Sequence, residues 1–267
     1  MTVEIREVTS KKDLQKFILY PQKLYKNSPY YVPSLYFDEL NTLSKDKNPT
    51  FLTSQARYWE AYRENEMVGR IAGIHVPAHL EKWGENLVRF GWFDFIDDAE
   101  VVKALVGRVE EWAKELGAEG IHGPLGFTDL DREGMLVEGF EEMATLATNY
   151  NYAYYHKRLE ELGFVKDVDW VSNSITLVDR WIEKIENTAQ LVAKRSNLHL
   201  FKGTKKELHK IAPQIFEVIN EAYRNLYGTV PLNEKQIKWY VDQYFGFAQL
   251  KYIPVVMDKI DRVVACG

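Results

Sequence analysis

Two tyrosines and a histidine open a short predicted helix, "YYHKRLEELGFVKD", at residues 154–167. Tyr155, Leu159 and Leu162 recur at i, i+4 and i+7, which places one apolar stripe of this helix against a core. The Leu-Gly-Phe that follows is typical of a helix C-terminus, because glycine adopts the left-handed conformation at C′ without strain. Tyr154 and Tyr155 are titratable, so the start of this helix is a candidate site as well as a packing surface.

A second candidate site is the acidic loop "GFTDLDREGMLVEGFEE" at residues 126–142. Acids and glycines alternate in it, but their spacing does not match a calcium-binding EF-hand loop. We expect an ordered loop that covers a groove. Asp129, Glu133 and Glu138 are candidate general bases if an amine enters that groove.

The sequence predicts no metal site. His75 and His79 have the spacing of two ligands on one helix, but Pro77 lies between them and favours a surface loop. Cys266 is the only cysteine, which excludes a disulfide framework and a cysteine-rich metal site.

The composition predicts a globular protein of about two domains. The chain has 267 residues, of which 46% are apolar and 13% aromatic, enough for packed cores. A net charge of −5 without a basic stripe argues against a nucleic-acid partner. The polar N-terminus has no signal-peptide core, and no apolar run approaches the ~20 residues that span a bilayer. We therefore expect a cytoplasmic protein with no membrane partner.

The candidate residues belong to a predicted mixed α/β fold. The helix that begins near residue 10 is expected to stop at Pro21. The order of predicted elements is β-α, an antiparallel hairpin, and then β-α-β-α-β. This order predicts a mixed sheet with helices on both faces. The later segments are a hairpin "RYWEAYRENEMVGRIAGIHV", a strand "VRFGWFDFID", a helix "AEVVKALVGRVEEWAKELG", a strand "EGIHGPLGF" and a last strand "DWVSNSITLV".

The front of this pattern recurs later in the chain. "TSKKDLQKF" at 9–17 is echoed by "GTKKELHKI" at 203–211, and "YWEAYRENEMVGRIAG" at 58–73 by "YIPVVMDKIDRVVACG" at 252–267. Two echoes at nearly one spacing favour a tandem duplication. The expected domains are 1–178, a linking helix at 179–197, and the N-terminal part of a second copy at 198–267.

The chain resembles the GNAT superfamily of acyl-CoA N-acyltransferases, and within it a bacterial group of tandem-domain acetyltransferases. The resemblance rests on three stretches. They are "MVGRIAG", "VRFGWFDFID" before a long helix, and "NYAYYHKRLEELGFVKD". It implies a GNAT-like fold and acyl transfer from acetyl-CoA or another acyl-CoA to a small-molecule or peptide amine.

The resemblance also assigns roles to residues. A tyrosine at the start of the last helix protonates the departing thiolate in many GNAT enzymes, and Tyr155 or Tyr154 matches that place. Glu133 is the candidate base. Packing is the alternative for both tyrosines. Three further residues, Trp92, Asp94 and Asn149, are candidates for lining the acceptor groove. The alternative for the first two is that "FGWFDF" is a buried central strand.

The cofactor site departs from the family pattern. The resemblance implies that Asp97, Asp98 and Ala99 stand where a glycine-bearing loop would hold the CoA pyrophosphate. "FIDDAEVV" has no glycine there, and both aspartates are good N-cap residues whose carboxylates repel phosphate. We therefore expect no complete CoA site in this chain.

Two functions follow from this reading. One is an N-acyltransferase in which one copy binds CoA and the other helps to form the acceptor groove. The other is a non-catalytic GNAT-like module that binds a small amine, a peptide or a partner subunit. A second copy as long as the first would continue beyond Gly267. The apolar strand "RVVACG" is then expected to be covered by the first domain or by another chain, as in a homodimer.

Overall fold

The computed structural model describes residues 2–145, 147–245 and 249–267. The chain divides into two compact units, Met1–Asp169 and Trp170–Gly267. No helix of the described residues is long and apolar enough to cross a bilayer.

Five strands form the central sheet of the first unit: β1 (Glu4–Glu7), β2 (Gln55–Arg63), β3 (Glu66–His75), β4 (Leu87–Phe95) and β5 (Gly120–His122). They are ordered as in the chain, antiparallel from β1 to β4, while β5 runs parallel to β4. The predicted mixed sheet is therefore confirmed.

Among the described residues of the same unit there are a 3-10 helix (Pro49–Leu52) and five α-helices: α1 (Lys11–Leu24), α2 (Tyr36–Leu43), α3 (Pro77–Trp83), α4 (Ala99–Glu115) and α5 (Tyr154–Glu161). On one face of the sheet, a Cβ on Gly69 would lie 2.8 Å from Leu105 of α4. On the other face, the Arg70 guanidinium donates to the carbonyl of Phe17 in α1. Successive strand residues point to opposite faces, so helices cover both sides as the sequence predicts.

The prediction that α1 stops at Pro21 is wrong, because the helix continues to Leu24. A proline cannot donate to the carbonyl four residues earlier, which here is that of Phe17. Arg70 Nη1 donates to this carbonyl instead, at 2.7 Å. A buried side chain from β3 therefore replaces the missing backbone hydrogen bond.

The last predicted strand, "DWVSNSITLV", does not form. Residues 169–178 are exposed and have neither helix nor strand structure. A strand needs a neighbour for its N–H and C=O groups, and no strand of the described residues pairs with this segment. Its β-rich composition predicted the element, but composition does not supply a pairing partner.

The second unit has an antiparallel sheet in the order β6 (His199–Leu200), β7 (Val255–Met257) and β8 (Val263–Cys266). Its helices are α6 (Asp179–Ser196), α7 (Lys205–Ala222) and α8 (Glu234–Tyr240), the last followed by a π-helical turn. Leu208 and Ile215 of α7 share a core with Val255, Met257 and Val263 of the two hairpin strands.

Candidate site at the bulge of the fourth strand

A bulge interrupts β4 beside its C-terminal end. The pairing with β3 passes from Ala72–Gly91 to Arg70–Asp94, so two residues of β4 stand opposite one of β3. One of the two is Trp92, whose φ is 42°. A bulky side chain rarely adopts a positive φ, and bulges and strained residues concentrate next to functional sites.

The Trp92 side chain is held by a carboxylate from α2. Its indole N–H donates to Glu39 Oε2 at 2.5 Å, and its ring packs against Phe127 with centroids 5.9 Å apart. Glu39 is half-buried. Within the described part of the chain, no Lys, Arg or His forms an ion pair with its carboxylate.

A fully compensated ion pair lies behind this bulge. Arg70 Nε donates to Asp94 Oδ2 at 2.7 Å, and the Tyr25 hydroxyl donates to Asp94 Oδ1 at 2.8 Å. Asp94 is 8% exposed and Arg70 7%. Buried charges need this kind of pairing, because desolvation of either charge alone is costly. Asp94, predicted as a substrate-binding residue, is thus occupied on both oxygens.

The two tyrosines that open α5 are both engaged. Tyr155 is 1% exposed. Its hydroxyl bonds to the hydroxyl of Tyr25 and accepts from the Phe95 N–H at 3.1 Å. Burial, with the nearby Asp94 charge, raises the pKa of Tyr155 well above its usual value. Tyr154 donates to the Phe95 carbonyl at 2.6 Å. These contacts are those of packing residues, and the role of either phenol as an acid stays a prediction.

The start of α4 is closed by a carboxylate. Asp98 is the N-cap, and its side chain accepts from two N–H groups of the first turn, at 2.9 and 3.3 Å. Arg63 pairs with Asp98 at 2.7 Å, and Arg158 with Asp97 at 2.8 Å. The predicted cap is confirmed for Asp98. The start of α4, at Asp98 and Ala99, does not fit a CoA pyrophosphate. The Asp98 carboxylate already accepts from two of the backbone N–H groups that would bind phosphate.

The acidic loop holds carboxyls with raised pKa values. Burial, reinforced by the charge of Asp129, raises the pKa of Glu133 to about 7. Burial likewise raises the pKa of Asp131 to about 7, although two backbone N–H groups favour its charged form. Asn149, predicted as substrate-binding, donates to the Gly134 carbonyl at 2.8 Å and so fixes the loop next to Glu133.

The histidine pair is not the surface loop that the sequence predicts. His75 ends β3, and Pro77 begins α3, because proline is favoured at the first position of a helix. His79 is 3% exposed and its ring contacts Glu85. No group of three His, Cys, Asp or Glu side chains in the described residues could hold a metal ion.

Three residues of this site, Glu39, Arg70 and Tyr25, were not predicted from the sequence. Arg70 and Asp94 had a usable signal, because each is a single charge of opposite sign inside an otherwise apolar strand, "MVGRIAG" and "FGWFDF". Two such charges in neighbouring strands predict a buried pair. Glu39 lies in a polar segment of α2 and gave no such signal.

Two curated proteins are similar to the chain. Protein YghO of Escherichia coli (strain K12) is 29% identical over 257 residues, which cover 93% of this chain and 62% of YghO. The bacterial ceramide synthase of Caulobacter vibrioides is 25% identical over 242 residues, 86% of this chain and 62% of that protein. The chain thus spans less than two thirds of either relative. No family model matches it.

Solved structures give a weaker likeness. A predicted acetyltransferase with acetyl-CoA from Clostridium acetobutylicum is 9% identical, with a TM-score of 0.40 over 65% of this chain and 96% of its own. A tandem GNAT protein from the clavulanic acid pathway is 13% identical, with a TM-score of 0.34 over 43% of this chain and 34% of its own. Scores below 0.5 support no functional inference. The strand order and helix placement of the first unit are those of a mixed α/β sheet with helices on both faces.

Proposed function

We propose that the chain is part of an N-acyltransferase that joins the acyl group of an acyl-CoA to an amine, and that its first unit forms the acceptor side. The similarity to a ceramide synthase supports this, because a ceramide is an amide of a long-chain amino alcohol. The observation that carries the proposal is the Glu133 carboxyl, whose pKa of about 7 suits a general base.

Glu133 takes the proton that the amine must lose before its nitrogen attacks a thioester. An ordinary glutamate, with a pKa near 4.3, is a weak base at neutral pH. Burial beside Asp129 strengthens Glu133 by disfavouring its charged form. Acyl-CoA supplies the activated acyl group, and no residue at the start of α4 is assigned to hold it.

The test is amine-dependent release of thiol from acetyl-CoA by the chain. Because Asp98 closes the start of α4, we expect a slow rate that still rises with acetyl-CoA above about 1 mM, the upper end of ordinary KM values. The rate should increase as the pH rises through about 7, where the Glu133 carboxylate forms. Glu133→Gln should remove this rise.

Two results would overturn the proposal. The first is a wild-type rate that does not depend on amine. The second is no release at millimolar acetyl-CoA while amine binding persists, which would favour the non-catalytic module. The Asp98 carboxylate that caps the start of α4 is the observation that favours this second function. Micromolar binding of acetyl-CoA in a calorimetric titration would contradict the closed helix start.

We also propose that the second unit repeats the front of the first, with domains at 1–178 and 198–267 joined by a helix at 179–197. Pairing between strands supports this repeat. Glu4 of β1 pairs with Tyr62 of β2, and His199 of β6, 195 positions after Glu4, pairs with Met257, 195 positions after Tyr62.

A shared irregularity supports the same repeat. The β2–β3 ladder shifts register between Ala61 and Tyr62. The β7–β8 ladder shifts between Val256 and Met257, again 195 positions later. A register shift is a specific local feature, so its recurrence at the corresponding place is stronger support than the order of elements alone.

A further inference from the structure

Glu39 forms no ion pair among the described residues. Against the effect of burial, the charges of Asp94 and then of Glu39 raise the pKa of Arg70, whose ion pair is with Asp94. Glu39 accepts one hydrogen bond, from the neutral indole of Trp92, through Oε2. Among the described residues, Oε1 has no hydrogen-bond donor. A half-buried carboxylate in this state favours a cation.

Two aromatic side chains, Trp92 and Tyr31, lie near the same carboxylate. The Trp92 indole contacts it directly. Burial, and then the charge of Asp94, raises the pKa of Tyr31 to about 12. The charge of Glu39 makes a smaller contribution in the same direction, so Tyr31 lies near Glu39. Tyr31 is packed against Tyr25, with ring centroids 4.8 Å apart. Aromatic rings near a carboxylate suit an organic ammonium group, which is attracted to ring faces by cation–π interaction.

The segments next to this group expose large apolar side chains. Leu35 and Phe37, at the start of α2, are 50% and 51% exposed. The residues that follow the acidic loop lie beside the segment that precedes α2, since the Ala144 N–H donates to the Tyr30 carbonyl at 3.0 Å. Met143, the neighbouring loop residue, is 68% exposed. Exposed apolar side chains on two adjoining segments suit a hydrocarbon chain.

We propose that Glu39 and Trp92 form a subsite for an alkylammonium ion. Glu39 Oε1 accepts a hydrogen bond from the ammonium group, and the apolar side chains at the start of α2 contact its hydrocarbon tail. This inference rests on the proposed function, in which an amine is the acceptor, and it specifies an amphipathic amine. A divalent metal is a poor alternative, since no three ligand side chains converge within the described residues.

The test is titration of the full chain with n-octylammonium, followed by the indole N–H resonance of Trp92 and by calorimetry. Trp92→Phe identifies the resonance. We expect saturable binding and a shifted resonance. n-Octanol, which has the tail without the charge, and methylammonium, which has the charge without the tail, should each bind at least tenfold more weakly.

The decisive variant is Glu39→Gln, whose amide oxygen can still accept from the Trp92 indole, so that the fold is retained. It should weaken octylammonium binding at least tenfold. Glu110→Gln, an exposed acid on α4, is the matched control and should change nothing. Equal affinity of Glu39→Gln and wild type, or of octanol and octylammonium, would overturn the subsite. Acyl-CoA is absent from this titration, so the result is separate from any failure of acyl transfer.

Discussion

The start of α4 and the bulge of β4 each present a carboxylate, but the two groups are held in opposite ways. Asp98 accepts from two backbone N–H groups and pairs with Arg63. Among the described residues, Glu39 has one neutral donor and forms no ion pair. A compensated carboxylate stabilises the fold and blocks an anion site, whereas an uncompensated one is ready for a cationic ligand. The number of hydrogen-bond and ion-pair partners of a carboxylate therefore distinguishes a structural role from a ligand-binding role.

Asp94 is a third case, because it is both buried and compensated. Its ion pair with Arg70 lies between α1 and the sheet, where a lone charge cannot be solvated. We therefore expect the loss of stability to differ among the three sites. Removing a hydrogen-bond or ion-pair partner should lower the free energy of unfolding most at Asp94. The loss should be smaller in the tyrosine network beside Asp94 and smallest at the exposed start of α4.

The largest effect is expected for Arg70→Met. This variant leaves Asp94 buried without a cation and removes the donor to the Phe17 carbonyl. Breaking a buried pair in this way typically costs about 3–5 kcal/mol. The free energy of unfolding of the first unit, measured by urea denaturation, should fall by that amount.

Arg63→Met is the control for this prediction, because Arg63 pairs with Asp98 at a half-exposed site. Its cost should stay below about 1 kcal/mol, as for most surface ion pairs. Similar losses in the two variants would mean that burial does not distinguish Asp94 from Asp98.

The sequence predicted the parts of this molecule that local chemistry determines. The Asp98 cap, the mixed sheet and the left-handed Gly163 that follows α5 all agree with residue type and spacing. The Glu39–Trp92 contact does not follow from them, because it joins residues 53 positions apart and depends on where α2 lies. Nor does the continuation of α1 through Pro21, since the compensating donor comes from β3.

A smaller effect is expected for Tyr155→Phe. The substitution removes the hydroxyl that accepts from the Phe95 N–H and bonds to Tyr25. A buried polar group left without its partner costs about 1–3 kcal/mol. The free energy of unfolding of the first unit should therefore fall by about 2 kcal/mol. Tyr36→Phe, at a residue 36% exposed, is the control and should have little effect. Unchanged stability with a lower rate of acyl transfer would instead support Tyr155 as the acid.

The smallest effect is expected at the two carboxylates that open the comparison. Asp98→Ala removes the cap of α4 and should cost about 1 kcal/mol. Asp98→Asn should cost much less, because asparagine caps a helix as well as aspartate does. Glu39→Gln should change the free energy of unfolding by no more than about 0.5 kcal/mol, since it keeps the acceptor for Trp92 and leaves no charge unpaired. Urea denaturation of all three variants tests the contrast. If Glu39→Gln were as destabilising as Asp98→Ala, Glu39 would be a structural carboxylate like Asp98. The Glu39 carboxylate would then not be available to bind a cationic ligand at the bulge.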